Sequence, residues 1–199
     1  MLYVPLFIIN ILFKKFFEKL KMIYFKKVYS YYYEPSYEHF DVYITIQDTI
    51  QTISRKISRK LYETIGESYK ANCIYNIQTK FKKSIIITNF CIIYLPNFVY
   101  DDNISLSLIN ELDRGYKMLK CHEEIHASNH IKCYNEIIKT LRNTIKTKRT
   151  ISKSHAIKLI NNITTKWIDY DTSFDDKSKH GCIYNKDINE KCILPKWLC

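Results

Sequence analysis

Glycine and proline are scarce in this chain, 3 and 4 of its 199 residues. Heavy use of Ile, Lys, Asn and Tyr accompanies that scarcity and fits an AT-rich coding bias, so composition by itself excludes little about function. Other absences exclude more. The seven cysteines include no CxxC pair, which argues against a cysteine zinc site, and their odd number does not imply a full disulfide framework. Cys182 and Cys192 could close a loop in an oxidising compartment, but the sequence does not commit to that pair. No RNP, zinc-finger or basic-zipper pattern is present, so the sequence does not point to nucleic acid as a partner. No internal repeat occurs at any period.

No apolar run reaches the ~20 residues that a membrane-spanning helix needs. The N-terminal run MLYVPLFIINILF is 13 residues long and is followed by the basic, amphipathic KKFFEKLKMIYFKK. A secretory signal carries its positive charge before the apolar core, whereas here the charge follows it. The readings left are an interfacial anchor, an atypical leader, or sequence upstream of a start at Met22. Residues 1–27 are therefore expected to be a membrane-associating or leader segment, with residues 28–199 as one domain. A secreted or membrane-associated location is favoured over the cytoplasm.

What is present is 46% apolar residues, enough for a core, and a formal net charge of +11. The lysines are spread along most of the chain. Their densest run, Lys139 to Lys153, reads as the solvated face and end of a helix rather than a nucleic-acid site.

The tyrosine-rich stretch 29–46, broken by Pro35, predicts one or two short strands. Ile46, Ile50, Ile53, Ile57, Leu61 and Ile65 recur every three or four residues and predict an amphipathic helix stopped by Gly66. Two strand-like runs follow, 71–81 and 84–98, the first alternating and the second ending at Pro96. A long helix is predicted to about Lys146, capped by Asp102, Asn103 or Ser105, with Gly115 as a break. Ala156, Leu159, Ile160, Ile163 and Trp167 mark a last helix, and the polar remainder from Ile168 reads as loop.

On the long helix lies HEEIH, His122 to His126, which satisfies the zinc pattern HExxH. Histidines four apart stand one turn apart on one helix face, so both imidazoles can reach one ion at ~2.1 Å. Glu123 is turned roughly 100° away, close enough to act as general base on water without taking a ligand position. Both histidines fall in the apolar stripe with Met118, Leu119 and Ile125. Burying such a pair without partners is costly, which favours ligands over two core histidines satisfied by backbone or carboxylates. His130 continues the spacing but lies about 12 Å from His122 along the axis, and no glycine turns the chain between them. It is therefore expected next to the site or on the surface.

A strand ending in Leu95-Pro96, the run YKMLKCHEEIH and the later FDDKSKHG, Phe174 to Gly181, together resemble a bacterial zinc peptidase family known as domain of unknown function 922. That family carries L, two residues, HExGH, then YDxxTxHG near its C-terminus. The resemblance covers roughly residues 30–183. Ile125, Phe174 and Ser178 replace the family's glycine, tyrosine and threonine. The resemblance implies an α+β, zincin-like fold: a small antiparallel or mixed sheet packed on a long HExxH helix, with further helices. It also implies a third zinc ligand in the C-terminal segment, with His180 preferred and Asp175 the alternative. If Asp175 is the ligand, His180 would stabilise the oxyanion or orient a ligand.

The expected function is Zn²⁺-dependent hydrolysis of a peptide or protein substrate, with Glu123 as general base. The strand at 85–96 would wall the cleft, and an extended peptide would add to an edge strand. The rival readings are a non-enzymatic basic protein on membrane or nucleic acid, and a peptidase fold with little turnover.

Overall fold

The computed structural model describes residues 23–67, 69–183 and 192–199. In chain order the elements are β1 (Tyr24–Phe25), β2 (Val28–Tyr31), β3 (Ser36–Ile44), α1 (Ile50–Ile65), β4 (Asn72–Phe81), β5 (Ile85–Tyr100), α2 (Leu106–Lys148), β6 (Ile151–Ser152) and α3 (Lys153–Ser178). The protein is mixed α+β.

Strand β5 is the axis of the main sheet. Strands β2 and β3 lie end to end along one side of it, both parallel to it, and β4 runs antiparallel along the other. Every second residue of β5 from Ile85 to Leu95 is buried, the period expected of a strand with one face on a core. Asn89 belongs to that buried row and bridges the gap between β2 and β3. Its amide accepts from Tyr33 N–H at 2.7 Å and donates to Tyr33 O at 2.8 Å, replacing a backbone rung where Pro35 interrupts the strand. Pro96 does not end β5, which continues to Tyr100. The β4 ladder stops at Tyr94, so the proline falls where that side of the strand is already unpaired.

Helix α1 forms as its periodicity predicts, with Ile53, Ile57 and Leu61 buried against the sheet. Thr49 and Thr52 form a reciprocal capping box at its start, and Gly66 closes it at φ 80°. Ile46, outside the cap, is exposed. Helix α2 starts at the Ser105 cap and runs unbroken through Gly115. The missing side chain of Gly115 is where Trp197 packs: a Cβ there would lie 2.9 Å from the ring's Cη2.

Two apolar clusters hang on α2. Leu112, Leu119 and Ala127 join the sheet and α1, while Cys133, Ile137 and Leu141 join α3, β1 and β6. His122 and His126 lie between them, next to a small third cluster around Phe174.

Three expectations change. The fold begins before residue 28, because Tyr24–Phe25 pairs with Ile151–Ser152 and Phe25 is core. Residues 1–22 of the segment 1–27 expected to associate with a membrane lie outside the described residues; among the described residues no helix is long and apolar enough to cross a membrane. Cys182 pairs with Cys199 and Cys192 with Cys121, not with each other. The stretch from Ile168 is not loop, since α3 continues to Ser178.

Candidate metal centre

Helices α2 and α3 pack side by side, and each presents one polar pair spaced by a turn. From α2 come His122 and His126, and from α3 come Asp171 and Asp175. Phe174 fits between the pairs. Its ring stacks on His122, centroids 5.4 Å apart, and meets His126 edge-on at 5.3 Å. Burial of that aromatic against two imidazoles holds the polar end of α3 in helical form.

The four side chains converge. Asp175 Oδ1 lies 3.2 Å from His122 Nε2 and 3.1 Å from His126 Nε2, and the two nitrogens are 3.1 Å apart. His126 Nδ1–H donates to Asp171 Oδ2 at 2.8 Å, so Nε2 is the nitrogen that faces the other two atoms. Asp171 also accepts from Asn129 Nδ2 at 2.9 Å and from Tyr75 Oη at 3.4 Å, which fixes the carboxylate. Asp175 Oδ1 is buried with the two imidazole nitrogens as its neighbours.

A metal ion would fit that convergence. In a tetrahedron with bonds of ~2.0–2.1 Å the ligands are about 3.3–3.4 Å apart, close to the observed triangle. Two imidazoles and a carboxylate suit zinc, and the same set also suits ferrous iron. His122, His126 and Asp175 thus form a group able to hold a metal ion. Asp171 serves the position behind the ligand, orienting His126 through its second nitrogen.

Electrostatics agree with this reading. Burial weighs against a charge on His126, but Asp171 and Asp175 push its imidazole up to about 10, so without metal a proton occupies this place. Burial also weighs against the Asp175 carboxylate, yet the two facing imidazoles hold it well below the usual range. Glu123, 7% exposed, has its carboxyl raised by burial, an effect only partly offset by the two histidines.

His180 is near the group but outside it. It is 57% exposed, its Nδ1 is 3.6 Å from Asp175 Oδ2, and its ring meets Tyr69 at 5.6 Å. The geometry therefore favours Asp175, the alternative third ligand, over the preferred His180. His130 is not on the surface. It is 4% exposed and stacked on Tyr75, with Nε2 unpartnered, and burial pulls its imidazole down to about 4. His39 is exposed and contacts Tyr116 Oη at 3.2 Å.

Gly181 sits behind His122 at φ +85°, and a Cβ on it would stand 2.8 Å from His122 Nδ1. The ring cannot retreat because Phe174 stacks on it. Gly181→Ala is expected to cost ~2–3 kcal/mol from left-handed backbone and overlap, lowering Tm by about 5–10 °C. Thermal melts and zinc titration check this; an unchanged Tm would contradict the packing.

The centre opens into a cavity of about 470 Å³ bounded by the start of β4, by α2 and by the C-terminal segment. Strand β5 is paired on both sides beside it, so the edge bordering the cavity, unpaired among the described residues, is that of β4, not the strand expected to wall the cleft. A second cavity of about 190 Å³ lies beyond Asp171, between Tyr75 and Ile77 on one side and Trp167 and Ile168 on the other. Sequence reasoning missed Asp171 because it stopped the last helix too early; its four-residue spacing from Asp175 was the available signal. Compared with protein-family models, curated proteins and solved structures, the chain shows no match to any, so its function has to be read from the geometry of this site.

Proposed function

We propose that the protein is a zinc-dependent metallopeptidase of zincin-like architecture, akin to domain of unknown function 922. The observation that carries this reading is the triangle of His122, His126 and Asp175 at 3.1–3.2 Å with Glu123 enclosed beside it. His122, His126 and Asp175 would hold the ion. Bound there, zinc supplies a Lewis acid that acidifies water and polarises a carbonyl.

The chain's own residues account for the rest. Asp171 keeps the His126 lone pair directed at the site by taking the Nδ1 proton. Glu123 takes a proton from the attacking water on its carboxylate and delivers it to the leaving nitrogen as the C–N bond breaks. Burial raises the basicity of that carboxylate, which suits the first of these transfers. The free edge of β4 would hold an extended peptide by main-chain hydrogen bonds. The two cystines fit an oxidising compartment, in keeping with a secreted or membrane-associated protein.

Glu123→Gln is the direct test. Wild type and variant should each bind one zinc per chain, while hydrolysis of a quenched-fluorescence peptide library falls ~10²–10⁴-fold in the variant. A chain that takes up no zinc and binds nucleic acid with a steep salt dependence would instead support the non-enzymatic reading.

A further inference from the structure

The large cavity is not evenly charged. Its acidic residues gather at the metal centre, where Asp171 and Asp175 engage the histidines and Glu123 lies beside them. Elsewhere the lining includes Ala71, Leu119 and Leu198 and two lysines: Lys179, at the end of α3 close to Asp175, and Lys70, at the start of β4. Lys70 is half-buried, and its Nζ donates to Ser54 O at 2.8 Å and Ser58 Oγ at 2.7 Å, both on α1. These bonds fix the ammonium in place, and both acceptors are neutral. Among the described residues no carboxylate forms an ion pair with it, and desolvation alone pulls it below the ordinary lysine value.

An ammonium has three N–H donors. With two spent on Ser54 and Ser58, one remains for a ligand, and a half-buried cation without a counter-ion is electrostatically incomplete. An incoming carboxylate supplies both the missing acceptor and the missing charge. The cavity, taken as a sphere, is about 10 Å across, room for the one or two extended residues of ~3.5 Å each that would separate a scissile bond from such a carboxylate.

We propose that Lys70 is a specificity-determining residue that binds a substrate carboxylate just beyond the bond held at the metal centre. This rests on the peptidase reading for the word substrate. The carboxylate is either the free C-terminus of a short peptide or an acidic side chain.

Binding can be measured without turnover. The zinc-loaded Glu123→Gln protein is titrated by fluorescence anisotropy with three labelled dipeptides: a free acid, its C-terminal amide, and an amide ending in glutamate. The free acid or the glutamate amide should bind about tenfold more tightly than the neutral amide, the scale of one charge-assisted hydrogen bond. The tighter of the two identifies the source of the carboxylate. Lys70→Met in this background should abolish the preference and Lys70→Arg should keep it, with zinc content unchanged in both; Lys70→Met, which also loses the bonds to Ser54 and Ser58, is measured well below its own melting temperature. Equal binding of all three dipeptides, or a preference that survives Lys70→Met, overturns the proposal. A Lys70-dependent preference in a chain that hydrolyses no peptide would sink the peptidase reading and leave this site standing. Turnover of acids and amides alike, with equal binding, would do the reverse.

Discussion

Asp175→Ala is expected to weaken zinc binding by ~10²-fold or more, whereas His180→Ala should change it by less than about threefold. The magnitude follows from sharing the ~10–16 kcal/mol of a four-ligand zinc site among its ligands, which gives ~2.5–4 kcal/mol for each. The direction follows from the triangle. Asp175 Oδ1 is 3.1–3.2 Å from both imidazole nitrogens, so its removal takes away the negatively charged member of the group. The His180 ring stands in the open beside the outer oxygen of Asp175, and removing it leaves the triangle intact. Asp175→Asn, which keeps the shape without the charge, should fall between the two. Competition with a chromogenic chelator measures all three. If His180→Ala released the metal and Asp175→Ala retained it, the third ligand would be His180 and the geometry given above would be wrong.

The metal-free and metal-loaded proteins should respond to pH in opposite senses. The His126 pKa is raised from 6.5 in the unfolded chain to about 10 in the fold. A raised pKa means that the folded state holds the extra proton, so the stabilisation is fully present below about 6.5 and is lost as pH climbs through about 10. Each pH unit in that window removes up to about 1.4 kcal/mol, or about 5 kcal/mol across all of it as an upper bound. Glu123, raised by burial, acts in the same direction from its ordinary 4.5 upward. Asp175 has the opposite sign: its depressed pKa contributes stability above its ordinary 3.8 and loses it as pH falls through the folded value. Metal-free protein should therefore be most stable in mildly acidic buffer and weaken toward pH 9. Zinc competes with the His126 proton, so its binding strengthens as pH rises. Melts in chelator and in zinc at pH 6.5 and pH 9 should show a gap in Tm that widens with pH. A metal-free Tm that is flat or rising across the window would show that His126 does not carry the proton assigned to it.

Much of the helical structure could be read from local pattern. Helix α1 announces itself through its apolar spacing and Gly66. Helix α2 does so through Ser105 and a stripe in which both histidines fall, and burial of His122 and His126 confirms that face. Both depend on neighbours within a turn or two, which is what sequence spacing encodes.

The far side of the site was read poorly for the same reason. Residues 168–178 carry polar groups at most positions, and their helical form comes from Phe174 packing on imidazoles that lie some fifty positions earlier. The odd cysteine count gave no pairing, because which sulfurs meet depends on how the C-terminal segment returns to α2 beside His122 and Gly115. Gly181 looked like one half of an HG pair, and only its approach to the back of His122 shows why a side chain is excluded.

By itself, then, the sequence determined that a buried helix face presents two histidines one turn apart with a glutamate beside them. The tertiary structure decided what meets them: Asp175 as the third member of a group able to hold a metal ion, Asp171 behind His126, the edge of β4 along the cavity and Lys70 in its wall. Spacing within one helix is set by backbone geometry over a few residues, whereas the meeting of α2, α3, β4 and the C-terminal segment is set by long-range packing that no local pattern records.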